Sequence, residues 1–425
     1  MYKQGQESVR FRFHLTHYTS NITQSFVCYN DAMASPQLEV SPSAAKRIRH
    51  FDCWVFRDEL KTPEPSIPNG EVVELIDRHG AFLAYAFYGA RSHIAARVVS
   101  TAKDRPVDRT LLAQRLKAAL GRRQAITDTN AKRLVFSEAD GLPGLIVDQY
   151  ADYLVLQSRT AGLEQWKSVV VDLLMDALHP TGILERSDKE FRDEEGLDAV
   201  TRVVTGTVPE RIRIEERGLS FWIDPHRGQK TGFYLDQRDT RRCVRELIQS
   251  GQRVADVCAY TGAFGLGAAS RGAQVVCIEQ QESCVELARE NAALNRLADR
   301  VEFVTGDAFY WLEAAAKRGD QFDWVLLDPP GLAKSKAELP KARQALHHLV
   351  RNALVLLGST GTLVLSICTY HLLSASEEIV RIAAEEQGLR LQVVGLSLQA
   401  SDHPWILQMP MTRYLMSWFV QAKPL

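Results

Sequence analysis

Cysteine is scarce and unpaired in this 425-residue chain. The seven cysteines, Cys28, Cys53, Cys243, Cys258, Cys277, Cys284 and Cys368, are odd in number and form no CxxC pair. Neither a zinc site nor a disulfide framework is indicated, no metal is expected, and a reducing cytoplasm is the natural setting. No apolar run reaches the roughly 18 residues that a spanning helix needs, so no membrane segment is expected. The first residues, MYKQGQESVRFRFHLTHYTS, lack the apolar stretch of a secretory signal. Net charge is −1, from 51 basic and 52 acidic side chains, so overall charge gives no sign of a polyanionic partner. The phosphate loop GxxxxGK[ST] is missing, as is any internal repeat. What remains, 45% hydrophobic and 24% charged residues, is the composition of an ordinary globular protein and excludes wholesale disorder.

Charge is more informative by segment. Residues 35–123 carry a net +5, whereas residues 124–425 carry −7. A basic module on an acidic body suits a polyanion-binding domain joined to a catalytic one. Residues 1–34 show no period and read as a leader, with Met33 an alternative start. Residues 35–108 read as short strands between turns (Glu71–Ile76, Phe82–Phe87, Ile94–Val99), a small β-barrel. Residues 109–215 read as an α+β unit. It opens with a helix at Leu111–Leu120, has hairpin strands at Leu145–Val147 and Tyr153–Gln157, and an amphipathic helix carrying Trp166, Val169, Val170, Leu173 and Leu174 on one face. Strands at Gly182–Glu185 and Ala199–Val204 complete it.

Residues 216–425 alternate strand and helix. Strands are expected at Arg253–Cys258, Gln274–Glu279, Val301–Val304, Phe322–Asp328 and Gly361–Ile367, with a helix at Lys341–Leu357. That is the pattern of a Rossmann-like, doubly wound α/β sheet. Two last β-rich runs, Leu391–Leu398 and Arg413–Val420, read as an antiparallel pair closing an edge. Ligands of such sheets bind beyond the carboxyl ends of the strands. Asp256 lies there, followed by a glycine turn at Gly262. Glu279 ends the second strand, where its carboxylate suits ribose hydroxyls, and Asp307 follows the third, suited to an adenine amine. Together they predict a nucleoside pocket for a nucleotide or S-adenosylmethionine. Gly265 and Gly267 fall inside the following helix, too late for a pyrophosphate turn, which favours the phosphate-free S-adenosylmethionine. The fourth strand ends in Asp328-Pro329-Pro330-Gly331, a stiffened loop able to aim a carboxylate at a flat substrate. Cys368 falls just beyond the fifth strand, near Asp328, whereas Cys258 and Cys277 fall within strands as core.

These residues resemble a class I S-adenosylmethionine-dependent methyltransferase over 220–425. GQKTGFYLDQRD (Gly228–Asp239) together with SDHP (Ser401–Pro404) resembles more narrowly the family that makes 5-methylcytosine in large-subunit (23S) ribosomal RNA. RHFDCWVF (Arg49–Phe56) resembles that family's N-terminal PUA domain. EADGLPGLIVDQY (Glu138–Tyr150) and LERSDKEFRDEEGL (Leu184–Leu197) resemble its middle domain. The resemblance implies that Asp256, Tyr260, Thr261 and Gly262 line the methionine end of the cofactor, that Glu279 holds the ribose, and that Asp307 holds the adenine. It implies that Tyr234, Asp236, Gln237 and Arg238 order the segment over that site, with Asp328 and Pro329 beside the cofactor. Cys368 matches the nucleophile position, although the family often has more serine and cysteine where this chain has Ser366, Ile367 and Thr369. The DPPG loop carries no second cysteine, so another base must remove the C5 proton; His371 and His403 are the candidates.

The mechanism that follows has the Cys368 thiolate adding to C6 of an unstacked cytosine so that C5 takes the methyl group, while Asp328 holds the base edge. The partner is ribosomal RNA, with the PUA-like domain supplying phosphate contacts; a homodimer is compatible with the sequence but not specified by it. Two alternatives stay open. One is methylation of an exocyclic amine such as guanine N2, which shares the DPP loop and needs no nucleophilic cysteine; enzymes that methylate amines of adenine or glutamine often place an aromatic where this chain has Gly331. The other is an RNA-binding assembly factor without turnover.

Overall fold

The computed structural model describes residues 35–61, 66–333 and 336–424. The leader, with Cys28 and Met33, lies outside the described residues. From Pro36 onward the chain builds three sheets and a hairpin within one packed unit.

The first sheet has five strands in the order Gln37–Glu39, Val72–Ile76, Phe82–Tyr88, Ile94–Ser100 and Trp54–Phe56. Alternate apolar residues such as Val73, Leu75, Ala84 and Ala86 turn inward onto the helix Pro42–Arg49, which contributes Ala44, Ala45 and Ile48. Ser41 caps that helix through Ala44 N at 3.2 Å, with proline at its first position. The helix and the strands at Gln37 and Trp54 are too short to show a period and were not anticipated.

The second sheet runs Val200–Gly206, Gly182–Ser187, Tyr153–Ser158, Leu145–Tyr150 and Ala131–Phe136. Helices Arg109–Arg122 and Ala161–Leu178 bury Leu112, Leu116, Val170 and Leu174 against it. Asp108 and Thr160 cap them through Leu111 N and Leu163 N. A hairpin, Ile212–Glu216 with Leu219–Ile223, leads into the third sheet.

That sheet has seven strands: β1 (Arg253–Val257), β2 (Gln274–Glu279), β3 (Val301–Thr305), β4 (Phe322–Leu327), β5 (Leu357–Ile367), β6 (Leu389–Leu398) and β7 (Met416–Pro424). Their order is β3-β2-β1-β4-β5-β7-β6, the first five parallel and β7 antiparallel to both neighbours. The expected Rossmann-like α/β domain with an antiparallel edge pair is present, and β7 inserts inside β6. Around it lie α1 (Arg238–Leu247), α2 (Ala263–Ala269), α3 (Glu282–Leu294), α4 (Ala308–Arg318), α5 (Leu339–Val355) and α6 (Tyr370–Glu386). On α5, Leu346, Leu349, Val350, Ala353 and Leu354 face the sheet as their spacing predicts. Among the described residues, no helix is long and apolar enough to cross a membrane, and no group of His, Cys, Asp and Glu is arranged to hold a metal.

Candidate active site

Strand order reverses between β1, which leads back to β2 and β3, and β4, which leads on to β5. Crevices form at such a switch beyond the carboxyl ends of strands. β1 stops at Val257, so Cys258 is not a mid-strand residue as expected. It starts a tight loop in which Cys258, Tyr260 and Gly262 all have positive φ, at 66°, 50° and 80°. Only glycine adopts that region without cost, so two side-chain-bearing residues there mark a loop held against its own preference. The restraint is visible: Tyr260 N donates to Glu279 Oε2 at 2.9 Å, and the Tyr260 hydroxyl accepts from Gln229 N and donates to Gly232 O. Glu279 also accepts Gln281 N through Oε1, which fixes its carboxylate at the end of β2.

Asp256 is buried, and its Oδ2 accepts Gly265 N at 2.8 Å, tying β1 to the first turn of α2. A side chain at Gly265 would meet Asp256 Oδ2 and the Cys277 sulfur, so α2 packs this closely only through glycine. Burial, reinforced by the Asp328 charge and eased by the Gly265 N–H, pushes the Asp256 carboxyl up to about 7. Asp307 caps α4 by accepting Phe309 N and Tyr310 N on Oδ1.

Asp328 follows β4, and its Oδ1 accepts Gln237 Nε2 at 3.0 Å. Burial, with the Asp236 charge adding to it, raises its carboxyl to about 7 against the opposing pull of Lys230. Cys368, just past β5, points its sulfur at the Pro329 carbonyl, 3.6 Å away. Gly331 lies beside that sulfur; a Cβ there would stand 3.3 Å from Thr369 Oγ1 and in ordinary contact with the sulfur, at 3.9 Å. Burial and the Asp328 charge raise the Cys368 thiol to about 11, with Lys230 acting the other way. The structure therefore brings Asp328, Pro329 and Cys368 together on one edge of the sheet.

The segment from Gly228 to Asp239 supplies the rest. Tyr234 meets Tyr260 edge-on at 5.3 Å and donates its hydroxyl to Gln229. Asp236 Oδ2 accepts from Lys230 at 2.5 Å and from the Tyr414 hydroxyl at 2.7 Å. Burial opposes its ionisation, but Lys230 and His403 outweigh that and hold the carboxyl below its ordinary value. Arg238 turns away from the cleft and pairs through both Nη atoms with Asp402, at 2.7 and 3.1 Å. Asp402 also receives Arg133 N, and its carbonyl receives Arg123 Nη2. His403 is buried with Nδ1 on Asp402 and its ring against Phe136, and burial lowers its pKa. His371, the second residue of α6, has its ring 5.7 Å from that of Tyr370. Sequence reasoning missed Lys230 and Asp402 as individuals although both lie in quoted motifs; a lysine between Gly228 and Gly232, six residues before Asp236, was the available signal.

Nine buried side-chain polar atoms lack a partner among the described residues, and four of them are Asp236 Oδ1, Gln237 Oε1, Asp256 Oδ1 and Thr261 Oγ1. Native proteins rarely leave such atoms unpaired, so their concentration marks a ligand site. Three are pure acceptors, matching a ligand rich in N–H and O–H donors and free of phosphate: the ammonium, ribose hydroxyls and adenine amine of S-adenosylmethionine. A cavity of about 390 Å³ at the opposite end of the sheet, where Arg253, Gln274, Val301 and Phe322 begin their strands, contains none of these residues.

Comparison with known proteins agrees. Residues 38–101 match the PUA-like domain family, and residues 191–385 match the S-adenosylmethionine-dependent methyltransferase family. Ribosomal RNA large subunit methyltransferase I of Aeromonas salmonicida is 37% identical over 380 residues, 87% of this chain and 95% of that one. The chain belongs to the ribosomal RNA large subunit methyltransferase I family. The Salmonella arizonae member is 33% identical over 387 residues, covering 89% of this chain and 96% of its own. The crystal structure of SMU.776 complexed with SAH superposes with a TM-score of 0.80 at 21% identity, covering 91% of this chain and 100% of that one, which shows the shared fold. The cofactor of this methyltransferase family member is S-adenosylmethionine.

Proposed function

We propose that this chain makes 5-methylcytosine in large-subunit ribosomal RNA through a covalent adduct between Cys368 and C6 of the base. The observation carrying that reading is the Cys368 sulfur seated on the Pro329 carbonyl beside Asp328, at the strand edge where the unpaired acceptors gather. The relatives' names supply the substrate class, large-subunit ribosomal RNA. In this reading residues 216–425 catalyse, residues 109–215 brace the catalytic part, and residues 35–108 hold RNA phosphates, aided by the Lys and Arg surplus of residues 109–123.

Asp256 and Thr261 hold the methionine end of the cofactor, Glu279 the ribose and Asp307 the adenine, while Tyr260 and Gly262 shape the loop between them. Bound there, S-adenosylmethionine supplies an electrophilic methyl group. Tyr234, Asp236 and Gln237 close the segment over the pocket, and Arg238 anchors that segment to Asp402. With a pKa near 11, the Cys368 thiol rests protonated at neutral pH. As its sulfur bonds to C6, the proton passes to the Asp328 carboxylate, whose pKa near 7 suits both taking it and giving it to N3. Protonation at N3 leaves C5 enamine-like and able to take the methyl group. A solvent base takes the C5 proton as the sulfur leaves C6 as thiolate, and N3 returns its proton through Asp328 to that sulfur, restoring the aromatic ring and the thiol. Extruding the base costs a few kcal/mol, roughly, which phosphate contacts offset.

Incubation of the protein with large-subunit RNA and labelled cofactor, followed by nucleoside analysis, tests this. Labelled 5-methylcytidine is expected; label in N2-methylguanosine, or RNA binding with no label transferred, overturns it.

A further inference from the structure

Lys230 has no place in the mechanism so far, yet its setting is costly. Its backbone is left-handed, φ 54°, in a residue that bears a side chain. Strain of this kind persists where surrounding contacts enforce it. Here the contacts come from the EADGLPGLIVDQY motif, which has no chemistry of its own. Thr231 Oγ1 donates to Asp148 Oδ2 at 2.6 Å and lies 2.8 Å from the Tyr150 hydroxyl. Asp148 is in turn held by Arg133 through two bonds of 2.7 Å, and Asp148 and Tyr150 are both fully buried. One buried clamp thus fixes the residue next to Lys230. The ammonium reaches Asp236 at 2.5 Å and stands 4.4 Å from the Tyr234 ring centre and 5.9 Å from that of Tyr414. The side chain remains 36% exposed. Its three N–H groups have Asp236 as their hydrogen-bond acceptor among the described residues, so two point elsewhere.

We propose that Lys230 is a catalytic cation, one N–H held by Asp236 and another reaching the O2 carbonyl of the pyrimidine, where negative charge collects as the Cys368 sulfur bonds to C6. This rests on the covalent reading above. Lys230 bears electrostatically on Asp236, Asp328 and Cys368 together. Arg241 also bears on Asp328 but is tied to Glu216 by two bonds and buried. A preorganised cation aimed at developing charge acts in the transition state rather than on ground-state binding. Thr231 and Asp148 are then positioning residues, which gives the EADGLPGLIVDQY motif a reason to exist.

The test compares Lys230→Met, Lys230→Gln, Lys230→Arg, Thr231→Val and Cys368→Ala in the full chain, with large-subunit RNA as substrate and SAH binding by calorimetry as a check on folding. Lys230→Met and Lys230→Gln are expected to lose about 100-fold in kcat. SAH affinity should stay within about threefold of the parent, and the pH midpoint for alkylation of Cys368 by iodoacetamide should move upward. Lys230→Arg should restore the alkylation midpoint and part of kcat, and Thr231→Val should lower kcat about tenfold with KM unchanged. Full turnover by both Lys230→Met and Lys230→Gln, with Cys368→Ala inactive, overturns the role of Lys230 and leaves the covalent reading standing. Turnover by Cys368→Ala overturns the covalent reading and this proposal with it.

Discussion

Asp256 and Asp328 lie near the carboxyl ends of adjacent parallel strands; Asp236 and Asp402 lie on the connections before α1 and after β6. All four are packed into the protein, and they titrate in opposite senses. The first two meet only neutral donors, the Gly265 N–H and Cys277 thiol for Asp256 and the Gln237 amide for Asp328, so burial raises both to about 7. The other two meet basic side chains, Lys230 for Asp236 and His403 with Arg238 for Asp402, and burial is overridden. The identity of the partner, not depth, separates an acid that can exchange a proton at neutral pH from one that holds chains together. The strand ends form the wall proposed to be reactive, and the connections form a frame that holds chains together.

The sharpest way to break that division is at the reactive wall. Cys368→Ala should lower methyl transfer by on the order of 10³-fold or more while SAH binding persists. A variant that still methylates would remove Cys368 from the proposed reaction. At the frame, Asp402→Ala removes the partner of buried Arg238 and an anchor of Arg133. It should cost about 3–5 kcal/mol in urea unfolding. A loss below about 1 kcal/mol would show that the frame is not built on this carboxylate.

Stability against pH sharpens the contrast further, because the two classes have opposite signs. Asp256 has its folded pKa raised from 3.8 to about 7, so its contribution is fully present below 3.8 and is lost as pH rises toward 7. Asp402 has its folded pKa depressed, so its contribution is present above 3.8 and is lost as pH falls below that value. Asp256→Asn should therefore flatten the stability curve between about pH 4 and 7, and Asp402→Asn should flatten it below about pH 4. Urea midpoints across that range decide it, and identical curves for the two variants would remove the distinction. The smallest effect belongs to Asp307, which is both a helix cap and the residue assigned to adenine. Asp307→Ser should keep the cap, whereas Asp307→Ala should cost about 1 kcal/mol. If both variants lose SAH affinity equally, its contact with the adenine is separable from its capping.

The parallel strands were legible because each is a near-continuous apolar run bounded by turns; Gln274–Glu279 agrees to the residue. The short strands at Gln37–Glu39 and Trp54–Phe56 were not, since three residues hold too little pattern to separate them from loop. Within the site, residues named for the ends of strands (Asp256, Glu279, Asp328, Cys368) could be placed because strand ends converge by topology alone. Lys230 could not, because its position depends on Thr231 bonding to Asp148 and Tyr150 from another sheet, 83 and 81 residues away in sequence. Long-range hydrogen bonds leave no local period. For the same reason the destination of Arg238, 164 residues from Asp402, was invisible in GQKTGFYLDQRD.

The insertion of β7 between β5 and β6 carries a consequence for biogenesis. Both flanking strands emerge from the ribosome before the one that fills the gap between them. Until it arrives, the strand that leads to Cys368 presents a bare row of amide and carbonyl groups to its surroundings. A nascent chain stalled before Met416 would be adhesive at that edge, and β5 itself would be the site of the mispairing.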